Sequence, residues 1–284
     1  MRDKYLWYGD IPGKNTLDYS VDPALFFKSM LSGKERGTRD GYYSTIEKTA
    51  TSARGLSGLS TSYGIEYVLY SLPNSEYYTA RVLYVLPKSP AKEAGIKRGD
   101  WIIASNGKPI TTKNYAQLLS SGGNTVFSTM VYDKSTDNFL TGKDITVSSA
   151  REVENNPIFL DTVYVAGSEK IGYLVYNSFL TGKNGFADKG YTTEMVKCFE
   201  QFKAQNINYF ILDLRYNGGG YINCSQWLGT GLAPASALNR MFAYTMANDK
   251  QKNRKEILPF IEQAKSANLN LSHLYVITSG LTAS

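Results

Sequence analysis

The strongest constraint on this chain is a change of rhythm in its last third. Lys170-Ile171-Gly172-Tyr173-Leu174-Val175-Tyr176-Asn177-Ser178-Phe179 is an apolar strand, and the following polar stretch carries Gly182, Gly185 and Gly190. From Thr192 through Lys203, Met195, Val196, Phe199 and Phe202 recur at helical spacing, which predicts an amphipathic helix. Tyr209-Phe210-Ile211-Leu212-Asp213-Leu214 is then nearly unbroken in apolar character, as in a mid-sheet strand covered on both faces. Strand, helix and strand within roughly fifty residues make a β-α-β unit. A further helix is expected over Glu256 to Lys265 and a last strand over Leu274 to Thr278, so this third reads as an α/β sandwich.

The rest of the chain follows other rules. Asp22 is a plausible N-cap with Pro23 at the first helical position; Leu25, Phe26 and Met30 form the apolar face and Gly33 ends the helix. Thr49 to Thr61, rich in Ser, Thr, Gly and Ala, marks a seam. Beyond it the period shortens to two: Ile65 to Tyr70 and Ala80 to Leu86 read as strands separated by the turn-prone Pro73-Asn74-Ser75. Ser89-Pro90 opens a short helix that Gly95 closes; Gly99-Asp100 turns into the strand from Trp101, and Asn106-Gly107 turns into the next. Asn114 to Leu119 suits a second helix, with closing strands at Asn124 to Val131 and Asp144 to Ser149. Short strands with two helices over roughly eighty residues describe a small self-contained module.

Length agrees with several modules: 284 residues give a prior of roughly two domains. Apolar residues at 42% and charged residues at 20% place the chain in the globular range. No apolar run has transmembrane length, and Met1-Arg2-Asp3-Lys4-Tyr5-Leu6-Trp7 lacks the features of a signal peptide. The net charge of +6 is spread without a Lys/Arg-rich run, which disfavours nucleic acid as a partner. Cys198 and Cys224 sit in no metal-ligand or Cys-x-x-Cys spacing and read as small core residues, with no metal or cofactor expected.

Two segments at strand ends could carry chemistry. In Asp213-Leu214-Arg215-Tyr216-Asn217-Gly218-Gly219-Gly220 the glycines let backbone amides approach a ligand, but neither the P-loop nor the dinucleotide spacing is present. A dinucleotide-binding α/β protein is accordingly disfavoured. In Thr278-Ser279-Gly280-Leu281-Thr282-Ala283-Ser284 small hydroxyl residues follow a strand, a place where a nucleophilic serine gains exposure and a helix N-terminus can stabilise negative charge. Either segment alone is more often a tight turn or an N-cap.

The run from Ser89-Pro90-Ala91 to Gly95, with Lys97-Arg98-Gly99-Asp100 and Asn106-Gly107-Lys108, resembles a PDZ domain of the kind carried by bacterial proteases. That resemblance implies that the loop at Tyr63, Gly64 and Ile65 holds a peptide's C-terminal carboxylate, and that the strand through Glu66 and Tyr67 pairs with the peptide. Tyr63 departs from the apolar residue usual before this glycine. The segments at 173–179, 212–220 and 275–284 resemble the carboxyl-terminal processing peptidases, the tail-specific serine proteases. This resemblance implies Ser284 as nucleophile, amides of Gly218 or Gly219 in an oxyanion hole, and a lysine further along the chain as the base. Family members carry proline where Gly218 stands. A Ser-His-Asp triad is nearly excluded, because the sole histidine, His273, lies just before the last strand.

The expected fold is therefore α+β and multidomain: a helical N-terminal segment (1–55), a PDZ domain (56–150) built as a small β-barrel-like sandwich with two helices, and an α/β protease core of β-α-β, ClpP/crotonase-like type (151–284). The resemblance implies a serine endopeptidase that recognises protein or peptide substrates with free C-termini and works in the periplasm or cell envelope; it leaves a homo-oligomer open. Because the chain ends on its expected nucleophile, the 284 residues are expected not to cleave by themselves. The alternative is a non-catalytic peptide-binding scaffold on a degenerate protease fold.

Overall fold

The computed structural model describes residues 1–33, 39–40, 44, 57–71, 75–120, 122–251 and 254–283. The sequence seam over 49–56, the turn residues Pro73 and Asn74, and Ser284 lie outside the described residues. The chain divides into two compact units, one made of Met1–Leu56, Ile158–Thr181 and Lys189–Ser284, the other of Ser57–Pro157 and Gly182–Asp188.

The N-terminal segment contains helix α1 (Pro23–Ser29), where the Asp22 carboxylate accepts the Ala24 N–H at 2.8 Å as a cap. None of its residues is buried, and Leu25 is 59% exposed, so the apolar face anticipated there is not packed into a core among the described residues. Polar ties hold the segment to its own unit instead. The Asn248 Nδ2 group donates to the carbonyls of Asp3 and Tyr5, and the Lys250 ammonium lies 3.9 Å from the centre of the Tyr8 ring.

The second unit begins with β1 (Leu59–Ser62), β2 (Ile65–Ser71) and β3 (Tyr78–Val85), followed by α2 (Pro90–Glu93). Then come β4 (Trp101–Ser105), β5 (Lys108–Pro109), α3 (Tyr115–Ser120), β6 (Thr125–Asp133), β7 (Asn138–Val147) and β8 (Arg151–Glu154). Antiparallel pairing gives the order β2-β3-β4-β6-β7 with β5 on β4, while β1 pairs with β8. One face of the sheet buries Ala80, Val82, Ile102, Phe127 and Val147 together with Ile110 and Leu119. Local chemistry matches the sequence: Ser89 caps α2 by accepting the Lys92 N–H, and Asn106-Gly107 takes positive φ at both positions, as a two-residue hairpin turn requires. Strand β8 and the first half of β7 had no clear signal: β8 is four residues long and pairs only with the short β1, and exposed Phe139 and Leu140 adjoin each other on the edge strand β7, so neither shows an apolar–polar alternation.

The first unit holds β9 (Ile158–Ala166), β10 (Glu169–Tyr176), α4 (Gly190–Ala204), β11 (Tyr209–Asp213) and α5 (Ile222–Leu232). It continues with β12 (Met241–Met246), β13 (Lys255–Pro259) and β14 (Tyr275–Ile277). The sheet order is β14-β11-β10-β9, with β9-β10 an antiparallel hairpin and β10, β11 and β14 parallel. Helices α4 and α5 cover one face: Met195, Phe199 and Phe202 pack with Leu174, Phe210 and Leu212, and the Phe202 and Phe210 rings meet edge to face at 5.2 Å.

Two expectations need correction. Strand β11 is not covered on both faces, since Phe210 and Leu212 are buried under the helices while Tyr209 is 41% exposed. The helix anticipated over Glu256 to Lys265 is instead β13 followed by a 3-10 turn at Glu262–Ala267. Pro259 cannot sit inside a helix, and the strand finds partners in β12, with Gln226 Nε2 donating to the Pro259 carbonyl at 2.8 Å.

Candidate active site and peptide-binding strand

Because β10, β11 and β14 are parallel, their carboxyl ends emerge along one edge, the place where open α/β sheets gather ligands. Three segments leave that edge, and hydrogen bonds stitch them together. The Phe179 N–H donates to Gly219 O and the Phe179 carbonyl accepts the Tyr221 N–H, each at 2.8 Å, which extends the β10 path alongside the glycine loop. The tail after β14 folds onto the same loop: Thr282 Oγ1 donates to Leu214 O at 2.7 Å, and Ser279 Oγ donates to Arg215 O.

Asn217 joins all three segments. Its side chain donates to the Tyr176 carbonyl and accepts the Gly219 N–H, both at 2.9 Å, while its own carbonyl accepts the Ala283 N–H at 2.9 Å. The residue is only 2% exposed. The sequence reading passed over this side chain, although an Asn two residues before a glycine is the signature of an Asx turn. Gly219 takes φ +98°, and a Cβ there would lie 3.2 Å from the Ala283 Cβ, so the loop and the tail are in contact. Ala283 is thus fixed one residue ahead of Ser284, which itself lies outside the described residues.

The two glycines differ in what their amides do. The Gly219 N–H is spent on Asn217, whereas Gly218 is exposed and its N–H has no partner among the described residues. Below the loop, Asp213 is 2% exposed and receives Nε and Nη2 of Arg215, the Arg215 backbone N–H and the Tyr173 hydroxyl. Burial alone would raise the Asp213 carboxyl; the hydrogen bonds from Arg215 and Tyr173 outweigh it and hold the group below its ordinary value. The pair is an internal brace. His273 contacts only the Ser272 hydroxyl among these groups and lies outside the network.

In the other unit, Tyr63 and Gly64 form the loop between β1 and β2, and Ile65, Glu66 and Tyr67 open β2. Strand β2 pairs with β3 and has no strand on its other side among the described residues, so the sheet offers an edge for strand addition. Gly64 takes φ +80°, and a Cβ there would collide with the Ser89 Cβ at 2.1 Å, so only glycine fits. The loop amides are engaged: the Tyr63 N–H donates to Ser120 O and the Gly64 N–H to Ser62 Oγ, each at 3.2 Å. Tyr63 is buried against Phe127, and its hydroxyl donates to the Gly123 carbonyl at 2.7 Å.

A sheet of this order with an open β2 edge suits a PDZ module, and a glycine loop laced to a small-residue tail at the carboxyl ends of parallel strands suits an α/β enzyme core. Family models agree: a PDZ domain matches residues 81–131 and peptidase family S41 matches residues 170–284. A solved structure from Bacteroides fragilis assigned to the S41 proteases is 32% identical, with TM-score 0.72, and the match covers 99% of this chain and 70% of that one. A carboxyl-terminal-processing protease of Picosynechococcus sp. is 32% identical over 156 residues. That match covers 52% of this chain and only 34% of the curated relative, so the shared part is about a third of its length. The chain belongs to peptidase family S41. Among the described residues no helix is long and apolar enough to cross a membrane.

Proposed function

We propose that the chain belongs to a tail-specific serine endopeptidase: the PDZ domain (56–150) takes a substrate's C-terminal tail, and the core (151–284) attacks a peptide bond with Ser284. The observation that carries this reading is the tie from Asn217 to Gly219 and Ala283, which holds the residue before Ser284 on the glycine loop. Ser284 forms the acyl-enzyme, and the developing oxyanion takes the N–H of Gly218 or of Gly219; the proline that family members carry at the first position has no N–H to give, which favours the second. The Gly219 N–H can serve only by giving up Asn217. The base is a lysine, as desolvated amines permit, and it is not supplied by the network described here. Tyr63, Gly64, Ile65, Glu66 and Tyr67 receive the peptide, with β2 pairing to it. Carboxylate capture at this loop requires its two engaged amides to change partners, a step that couples tail binding to the loop. The enzyme works in the periplasm or cell envelope.

The test uses the full-length protein and a peptide with a free C-terminus. Ser284→Ala should abolish cleavage, and cleavage at the native rate would overturn the assignment. Gly218→Pro, which brings in the residue family members carry and removes one N–H, separates the two donors: a loss of about a hundred- to thousandfold in kcat assigns the oxyanion donor to Gly218. An unchanged rate would shift the role to Gly219.

A further inference from the structure

A cavity of about 320 Å³ lies in the PDZ unit, and none of the β2 residues lines it. It is bounded by α3 through Asn114, Gln117 and Leu118, by the β4-β5 turn through Ser105, Asn106 and Lys108, and by the Gly122–Thr125 stretch that leads into β6, with Tyr63 also in its wall. Its size is at the lower end of small-molecule pockets.

The hydrogen bonds around it decide what it can hold. The Asn106 carbonyl oxygen accepts the Val126 N–H at 2.8 Å, and that of Asn124 accepts the Ser149 N–H and hydroxyl at 2.9 Å, so each carboxamide keeps its NH₂ group to offer. Asn114 is consumed at both ends by Thr111 and Pro109, Ser105 and Thr125 bond each other, and the Tyr63 hydroxyl proton goes to Gly123 O. The side chains of Lys108 and Gln117 have no hydrogen-bond or ion-pair partner among the described residues. Lys108 is the one charged residue in the lining, and no carboxylate faces it there. The cavity is therefore rich in donors and carries a single positive charge.

We propose that this cavity is a second binding site, distinct from the peptide edge, for a small molecule bearing an oxyanion head, a carboxylate or a phosphate. Lys108 supplies the charge, and the amides of Asn106, Gln117 and Asn124 supply neutral donors. Tyr63 is the physical link to the peptide loop: its backbone N–H is bonded at the end of α3, and its hydroxyl stands in the cavity wall.

The test is amide NMR on the 284-residue chain, titrated with acetate, succinate or inorganic phosphate to about 10 mM at constant ionic strength, a range that reports millimolar binding. Saturable shifts at 105–108, 117–118 and 122–125 support the site, and the anion that produces them separates carboxylate from phosphate. Lys108→Ala should weaken that binding about tenfold or more, the usual loss for a charged hydrogen bond. Gly123→Leu should abolish it by filling the space, since a Cβ at Gly123 meets nothing within 4 Å and the fold has room for it. Lys97→Ala, on an exposed residue outside the cavity, should leave binding unchanged. No saturable shift with any of the three anions, or shifts that survive both Lys108→Ala and Gly123→Leu, would overturn the proposal. None of these readouts depends on peptide cleavage.

Discussion

Replacing Asn217 with alanine tests whether one carboxamide organises the glycine loop and the tail beside it. The substitution removes two side-chain hydrogen bonds and leaves the Tyr176 carbonyl and the Gly219 N–H without their partner. An orphaned buried polar group costs about 1–3 kcal/mol, so two give about 2–6 kcal/mol. Gly219 is only half-buried and water can replace part of its bond, which points to the lower half, about 2–4 kcal/mol. Amide hydrogen exchange is the suitable assay because it reads the α/β unit without assuming a single transition for the whole chain. The amides of α4 should lose that much protection, and the Ala283 amide, whose acceptor is the Asn217 backbone carbonyl that alanine keeps, should exchange faster as the loop carrying that carbonyl loosens. Asn217→Asp keeps an acceptor for Gly219 but sets a carboxylate against the Tyr176 carbonyl. It should be at least as harmful at neutral pH and recover as acid protonates the group. A loss below about 0.5 kcal/mol with Ala283 still protected would refute the reasoning, since that is the range of an ordinary surface change.

Three further outcomes follow from the packing and the charges. Gly231→Ala in α5 places a Cβ 2.1 Å from the Phe199 ring, and this overpacking should destabilise the α/β unit by about 1–3 kcal/mol in urea unfolding. Asp213 is held below its ordinary value, so its contribution is present above the unfolded carboxyl value and is lost as pH falls through the folded one. The stability gap between wild type and Asp213→Asn should therefore be full at neutral pH and close below about pH 4, a result that parallel denaturation curves would contradict by remaining equally spaced. Burial raises both thiols, Cys224 to about 11 and Cys198 further, so neither should react with a thiol reagent near neutral pH until the protein is unfolded.

Much of this architecture was legible because local chemistry and tertiary packing agree. Met195, Phe199 and Phe202 repeat at helical spacing, and all three are buried against the sheet. Ser89-Pro90 and Asn106-Gly107 specify a helix start and a hairpin turn whatever surrounds them. Helix α5 was missed because Gly229 and Gly231 weaken its propensity, and only the folded state explains them: the rings of Phe242 and Phe199 occupy the space their side chains would need. Strand β13 was mistaken for a helix because its partner β12 carries no signal that pairs it at a distance. At the catalytic edge the glycines and the small-residue tail stood out by type. The division of labour between the Gly218 and Gly219 amides depends on where one asparagine oxygen lies, and no spacing rule records that.

The stitching of tail to loop also has a kinetic meaning. Ser279 and Arg215 are 64 residues apart in sequence, and β14 meets only β11 in its sheet, so the segment ending at Ala283 gains its order from contacts that close long loops. Contacts of that span form late, after local helices and hairpins have settled. The tail through Thr282 and Ala283 is therefore expected to order after β10, β11 and α4 have packed, and pulse-labelled hydrogen exchange should find the Ala283 amide among the last to be protected.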